Sequence, residues 1–330
     1  MENRKTILSG MQPSGSGNLH LGNYEGALKN WVRLQNDYNM YCCIVDWHTL
    51  TGDFEHTHEL KGKIFSVAAD YLSAGLDPEK CAIFIQSDIK EHAELHLLFS
   101  MMITVPTLTR LPTYTEKKEE IGLDSYGFLG YPVLQAADIC IYDADFVPVG
   151  KDQEKHIWLA ADLAQRFNAT YGPTLVVPQA LFTEIPVVPG ADGRKMSKSY
   201  DNTLMLNDTA EETAAKLKKY FTDPEKLRKG DPGRPEICPI YALHKVYSPD
   251  PENEIAPPCR TGQLGCVDCK KMLAENLNKT LAPIREKRLV IEQNKDYVWD
   301  VLKNGATRAR ERATAVMAKV RSAMKMDYYK

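Results

Sequence analysis

The sequence contains no apolar run near the ~20 residues that a membrane-spanning helix needs, which excludes a helical membrane protein. It also has no surplus of positive charge: 41 Lys and Arg stand against 44 Asp and Glu, for a net charge of −3. That excludes a module that binds nucleic acid through overall basicity, so a nucleic-acid partner must be met by a local patch. No internal repeat or low-complexity tract is present. Residues 1–8 have no signal-peptide core, and the expectation is a cytoplasmic protein with reduced thiols and no membrane or DNA partner. What remains is ordinary for a globular chain. At 330 residues, 43% apolar and 26% charged, it can bury two domain cores without staples.

One short polar run stands out. Lys195-Met196-Ser197-Lys198-Ser199 follows Gly193-Arg194, has no apolar period and reads as a loop. Two ammonium groups three residues apart can reach one polyphosphate, and the hydroxyls of Ser197 and Ser199 can donate to its oxygens. That equipment suits charge moving from an α-phosphate to a leaving pyrophosphate. Two nearby lysines alone are ordinarily a solvated loop, so the rest of the chain decides.

Residues 6–10 read as a buried strand, followed by a turn rich in Gly, Pro and Ser. Leu21, Tyr24, Leu28, Trp31 and Leu34 then recur at helical spacing. Strand, glycine loop and helix in that order make the first crossover of a nucleotide-binding α/β unit, with the helix N-terminus facing the loop. His20 and Asn23 lie at that mouth, and Gly22 permits close approach of a nucleotide to the backbone. Further strands are expected over 41–45, 82–86 and 146–150, with helices over 59–74 and 95–102, which argues for a parallel sheet. Pro132 is expected to open a helix on which Gln135 and Asp138 share a face. A buried Asp138 needs a donor, from a substrate or from elsewhere in the protein. Gly150 makes a second glycine turn, after which residues 151–153 open a helix to about 167 carrying His156, which reads as a packed or exposed residue. The polar stretch 110–124 reads as an exposed excursion in which Lys117 is a candidate third cation for the phosphates. Beyond a helix over 207–221 no strand pattern returns, which places a domain boundary between 200 and 207.

Cysteine is not scarce. Cys42, Cys43, Cys81 and Cys140 fall in apolar patterns, where Cys is a small buried residue. Cys238, Cys259, Cys266 and Cys269 follow C-x20-C-x6-C-x2-C, and four clustered thiols in a reducing compartment point to metal binding. Zinc and a [4Fe–4S] cluster both accept four thiolates, and the ligand set does not choose between them.

Taken together these residues resemble the bacterial-type tryptophanyl-tRNA synthetases, a class I aminoacyl-tRNA synthetase family. His20-Leu21-Gly22-Asn23 is similar to the family's first signature, Lys195-Met196-Ser197-Lys198-Ser199 to the second, and Gly10-Met11-Gln12-Pro13-Ser14-Gly15 to its opening block. Ala136-Ala137-Asp138-Ile139 and Val147-Pro148-Val149-Gly150-Lys151-Asp152-Gln153 resemble two more. The resemblance implies a Rossmann-like catalytic domain over 1–200. It implies a helical tRNA-binding domain over 201–330, its last helix packing back on the first. It also implies a homodimer, and activation of L-tryptophan with ATP and Mg²⁺ before transfer to tRNA(Trp). Gln12, Pro13, Ser14, His20, Gly22, Asn23, Gly150, Lys151, Asp152, Val188 and the lysine loop, Met196 included, are then the ATP contacts. Lys195, Lys198, Asn23 and Lys117 carry the catalysis. Asp138 is expected to accept the indole N–H, Tyr131 and Gln153 to hold the α-amino group, and His48 to line the pocket. Gln135 and Leu8 depart from the residues common there. A subset of the family carries a [4Fe–4S] cluster in the helical domain. The last two cysteine gaps match that subset and the first is two residues shorter, which favours the cluster, with zinc as the alternative. A tyrosyl enzyme and a non-catalytic tRNA-binding or redox-sensing relative are the competing readings. Lys303, Arg308, Arg310, Arg312, Lys319 and Arg321 are either a tRNA patch or a solvated helix face.

Overall fold

Five parallel strands form one sheet in the order β3-β2-β1-β4-β5: β1 (Thr6–Met11), β2 (Asn39–Ile44), β3 (Cys81–Ile85), β4 (Phe146–Val149) and β5 (Gln179–Phe182). The computed structural model describes residues 4–111, 114–115, 122, 124–150, 154–182 and 188–329. Lys117, Lys151, Asp152 and Gln153 lie outside the described residues.

Adjacent strand residues face opposite sides of the sheet, as the pleat requires. Ile7, Cys42 and Ile83 join one apolar cluster, while Leu8, Cys43 and Phe84 join the other. Both faces are therefore buried, which explains why the strands read as continuous apolar runs. Cys42, Cys43, Cys81 and Cys140 are all buried, as small packing residues. The first cluster runs without interruption from the sheet through Trp31 and Tyr71 to Leu217, Leu243, Leu273 and Leu281 in the C-terminal helices.

The principal helices that cover the sheet are α1 (Leu60–Ala74), α2 (Glu91–Ser100), α3 (Tyr126–Cys140) and α4 (Glu154–Tyr171). α2 starts earlier than its apolar pattern suggests, because Glu91 and Glu94 suit the positive end of the helix dipole. α3 does not open at Pro132. It starts at Tyr126, where Ser125 Oγ accepts the Phe128 N–H at 3.1 Å, and Pro132 sits inside it. A proline inside a helix costs more than one cap returns, so burial of Phe128, Val133, Leu134 and Ile139 along α3 is what offsets it. Among the described residues the chain beyond β5 holds no further strand. α5 (Ala210–Lys218) opens on a capping box of Thr209 and Glu212, and α6 (Pro239–Tyr247), α7 (Cys266–Gln293) and α8 (Lys295–Ala323) follow.

α8 lies along the edge strand β3 and covers the open end of the sheet. Its basic residues act as staples. Arg308 donates to the Pro78 and Cys81 carbonyls, Arg310 to the Asp88 carbonyl, and Arg312 to the Tyr142 carbonyl and Asp143. Lys319 pairs with Asp143 and Arg321 with Glu94. Arg308, Arg310 and Lys319 remain exposed while they make these contacts, so the solvated helix face is also the face that anchors α8 to the sheet domain. Among the described residues no helix is long and apolar enough to cross a membrane.

Candidate active site

β1 ends at Met11 beside β4, so the chain leaving it enters the crevice where the strand order reverses. There the Ser14 N–H donates to the Gln12 carbonyl and the Gly17 N–H to the Ser14 carbonyl, both at 2.9 Å. Gly15 has φ +57°, which favours glycine, and a Cβ on it would lie 2.8 Å from Lys198 Cδ, so any larger residue would push the Lys198 side chain aside. His20 then caps the helical turn Leu21–Asn23: its Nδ1 accepts the Asn23 N–H at 3.3 Å, and its own N–H donates to Asn23 Oδ1 at 3.1 Å. The Asn in the fourth place of His20-Leu21-Gly22-Asn23 thus closes a reciprocal cap. Gly22 faces the His20 ring, which a Cβ would meet at 3.0 Å. The next turn, Tyr24–Leu28, is a π-helical segment, a frequent companion of functional sites.

The lysine loop is laid against this turn. Leu21 N–H donates to the Leu204 carbonyl and Leu206 N–H to the Leu19 carbonyl, both at 2.9 Å. Met196 is buried as the anchor, Lys195 and Ser199 are exposed, and Lys198 Nζ donates to the Ser14 carbonyl at 2.8 Å. A cavity of ≈ 420 Å³ results, lined by Gln12, Ser14, His20 and Asn23 on one side and by residues 196–199 on the other. Burial lowers the Lys198 amine to about 8, with Lys63 adding to the effect and Asp70 opposing it. Burial and the positive Lys198 and Lys195 lower His20 to about 4, so its ring is neutral at pH 7. With Nδ1 accepting from Asn23, Nε2 carries the proton and is the available donor.

Of the other expected nucleotide residues, Pro13 is buried in the turn, Gly150 is half-buried at the end of β4, and Val188 is buried in the first apolar cluster. None of the three lines the cavity. A residue that motif reading missed holds the loop. Asn202, 3% exposed, accepts the Ser197 N–H and donates to Asp192 and to the Lys195 carbonyl.

A second polar group sits beyond the ends of β2 and β3. The donor that Asp138 lacks in the sequence is supplied by the protein. His48 Nε2 lies 2.8 Å from Asp138 Oδ2, His92 Nδ1 lies 2.6 Å from Oδ1, and Gln86 Nε2 donates to both oxygens at 2.8 Å. His92 Nε2 continues to the Tyr142 hydroxyl at 2.6 Å. Burial alone would raise the Asp138 carboxyl, but His92 and His48 outweigh it and hold the group well below the usual carboxylate range. Tyr131 packs edge-on to His48, ring centroids 6.1 Å apart, and against His156. Gln135 Oε1 and His156 Nδ1 are 2.9 Å apart, so the residue that departs from the common pattern has a polar partner on α4. Leu8 is buried in the second apolar cluster. Gln86 and His92 were not foreseen; their signal is a polar residue at a strand's C-terminal end and an imidazole in the first turn of the next helix.

The four remaining thiols converge from separate elements. Cys238 precedes α6, Cys259 lies in the short helix Ala256–Arg260, and Cys266 and Cys269 occupy the first turn of α7. Burial and the neighbouring thiols Cys238, Cys259 and Cys266 push Cys269 up to about 12. His244 Nε2 lies 3.4 Å from the Cys269 sulfur. Among the described residues no group of three or more His, Cys, Asp or Glu stands in metal-holding geometry.

Comparison with known proteins places this geometry in context. The family described as tRNA synthetases class I (W and Y) matches residues 1–282. The tryptophan--tRNA ligase of Thermotoga maritima is 45% identical over 328 residues, covering 98% of this chain and 99% of that one. The ligase of the same description from Aquifex aeolicus is 40% identical, covering 97% and 99%. Among solved structures, tryptophanyl-tRNA synthetase from Campylobacter jejuni, complexed with ADP and tryptophan, superposes with a TM-score of 0.86. It is 34% identical and covers 97% of this chain and 99% of its own.

Proposed function

The chain belongs to the class I tRNA synthetases (W and Y), and on that premise we propose its activity in full: a tryptophan–tRNA ligase of bacterial type, using MgATP and L-tryptophan to charge tRNA(Trp). The observation that carries the nucleotide half is the cavity where the His20–Asn23 turn meets Ser197 and Lys198. The full-length likeness to tryptophan ligases carries the choice of amino acid.

In the first step a tryptophan carboxylate oxygen bonds to the α-phosphorus, the bond to the bridging oxygen breaks, and pyrophosphate leaves. In the second a terminal ribose hydroxyl of the tRNA attacks the carbonyl carbon and AMP leaves. Little acid–base chemistry is asked of the protein; positioning and charge stabilisation do the work. A magnesium ion supplies further neutralisation on the phosphates. Lys198 and Lys195 hold the triphosphate, the neutral His20 donates through Nε2–H, and Asn23 keeps that imidazole oriented. Asp138 receives the indole N–H. Because its oxygens already accept from three side chains, the indole must displace one of them, and His48, packed against Tyr131, is the exchangeable one.

Residues 1–200 serve as the catalytic part and 201–330 as the tRNA-binding part, acting in the cytoplasm. Exposed Leu97, Met101, Val105, Tyr126 and Trp158, on or beside the mutually packed α2, α3 and α4, support a homodimer through that face. The spacing C-x6-C-x2-C of Cys259, Cys266 and Cys269, with Cys238 ahead of them, supports a [4Fe–4S] cluster over zinc, with these four thiols as the ligands; bound iron would favour the thiolate forms that burial opposes at Cys238, Cys259 and Cys269. Iron and sulfide in equal amounts in anaerobically purified protein would support it, and zinc without iron would count against it. Pyrophosphate exchange measured with each of the twenty amino acids tests the main reading. Exchange with tyrosine in place of tryptophan overturns the specificity, and exchange with none overturns the activity.

A further inference from the structure

Three side chains meet the Asp138 carboxylate, and they differ in what holds their other ends. Gln86 is wholly buried; it donates through Nε2 while its Oε1 accepts the Trp47 N–H at 3.1 Å. His92, also wholly buried, places Nδ1 on Asp138 Oδ1 and Nε2 on the Tyr142 hydroxyl, each at 2.6 Å. Asp138 as a carboxylate only accepts, so Nδ1 carries the ring's proton and the Tyr142 O–H donates to Nε2. Among the described residues no hydrogen bond reaches the Nδ1 of His48, whose Nε2 lies 2.8 Å from Asp138 Oδ2. The Tyr142 hydroxyl is fixed in turn by what surrounds its residue. The ring stacks on Tyr41 of β2 with centroids 4.6 Å apart and meets Phe84 of β3 edge to face at 5.5 Å, and the carbonyl accepts from Arg312 of α8 at 3.2 Å. Displacing Gln86 or His92 from Asp138 therefore disturbs two hydrogen bonds, whereas displacing His48 disturbs one. Each buried polar group left without its partner is costly, so the singly held imidazole is the one that can yield.

We propose that Tyr142 is a positioning residue of the amino-acid site: through His92 it fixes one side of the Asp138 carboxylate, so that His48 is the partner that leaves when an indole N–H arrives. This rests on reading Asp138 as the acceptor of the indole. The probe is L-tryptophan. The readouts are the ring-nitrogen NMR signals of protein labelled at histidine, each ring assigned by its loss on substitution, and the tryptophan Kd by equilibrium dialysis. In the wild type, tryptophan is expected to move the His48 signals and to leave those of His92 in place. Tyr142→Phe keeps the ring and removes the hydroxyl, so tryptophan then moves the signals of both imidazoles. Its Kd rises about fivefold, because the carboxylate is no longer held at one aim, while the ATP KM stays within about twofold. The hydroxyl acts through His92 alone, so adding Tyr142→Phe to His92→Phe leaves the tryptophan Kd within about twofold of that of His92→Phe. A role confined to packing predicts a further rise in the double variant, and His92 signals that tryptophan does not move in Tyr142→Phe. Either result overturns the proposal, as do His92 signals that move in the wild type. A wild type that binds tryptophan with neither imidazole moved overturns the reading of Asp138, and the proposal with it. Should Tyr142→Phe not fold, the double variant decides, and a further rise of about fivefold in its tryptophan Kd over that of His92→Phe overturns the proposal.

Discussion

Asn202 Oδ1 accepts the Ser197 backbone N–H at 2.8 Å, and the same side chain's amide donates to Asp192 at 2.8 Å and to the Lys195 carbonyl at 3.1 Å. One buried amide therefore ties both ends of the lysine loop. Loss of a buried partner strands the groups it satisfied, at about 1–3 kcal/mol. Asn202→Ala is expected to lower unfolding stability by that order and to reduce pyrophosphate exchange more than tryptophan binding. Denaturant titration and exchange kinetics on the same preparation check both parts.

Lys198 loses its proton near pH 8 in the free protein, because burial disfavours its charge. A lowered lysine is charged below its pKa and neutral above it. The ammonium that holds the triphosphate is thus present below pH 8 and lost above it. kcat/KM for ATP should fall as pH rises through that value, while the limb in kcat lies at higher pH, since bound phosphates favour the charged amine. Lys198→Ala should remove the limb and cut exchange about 10²–10³-fold, the usual scale for one transition-state electrostatic contact. A pH profile of wild type beside the variant makes the comparison.

His92 bridges Asp138 and the Tyr142 hydroxyl and is wholly buried. Replacing it by Phe keeps a planar ring, leaves Asp138 with His48 and Gln86 only, and removes the imidazole partner of the Tyr142 hydroxyl. The Asp138 carboxyl should then rise, since burial opposes its charge and one of two imidazoles is gone. The expected result for His92→Phe is a tryptophan KM raised about tenfold with the ATP KM unchanged, and Asp138→Ala should be worse on the same axis. Exchange kinetics with each substrate varied in turn separate the two. Equal changes in both KM values would falsify the assignment to the amino-acid pocket.

Much of this was legible in the chain. The β1 turn is local, so glycines and an apolar stripe reveal it within a few residues of one another, while the reciprocal cap of His20 and Asn23 shows only in the structure. The lysine loop is legible as a motif, but Asn202 is not, because an amide that ties a loop has no period. Asp138 is legible as a carboxylate in apolar surroundings. Its partners are not, because His48, Gln86 and His92 come from the segments that follow two strands, and only the sheet order brings those segments together. Pro132 misled because a proline suits a first turn, and the Ser125 cap that moves the start upstream is a single side chain. Arg308, Arg310 and Arg312 are legible as a basic helix face, but the carbonyls they meet are not, because those come from distant parts of the chain.

The docking of α8 on the sheet turns on one position. A Cβ at Gly305 would lie 1.9 Å from the Ile83 carbonyl oxygen and 2.9 Å from its nitrogen, and backbone atoms within a parallel sheet cannot swing aside as a flexible side chain can. Gly305→Ala is expected to cost about 3 kcal/mol or more, through overpacking that must lift α8 from β3. Helix propensity works the other way, since alanine is favoured over glycine in a helix interior by about 1 kcal/mol. Gly62, in α1, has nothing within 4 Å of the same added carbon, and Gly62→Ala isolates that propensity gain. Opposite signs for two Gly→Ala changes in helices, read by denaturant unfolding, therefore measure the close approach itself. If both variants gained stability, α8 would not rest on β3 at this distance, and the staples from Arg308 and Arg310 would have to be reassigned with it.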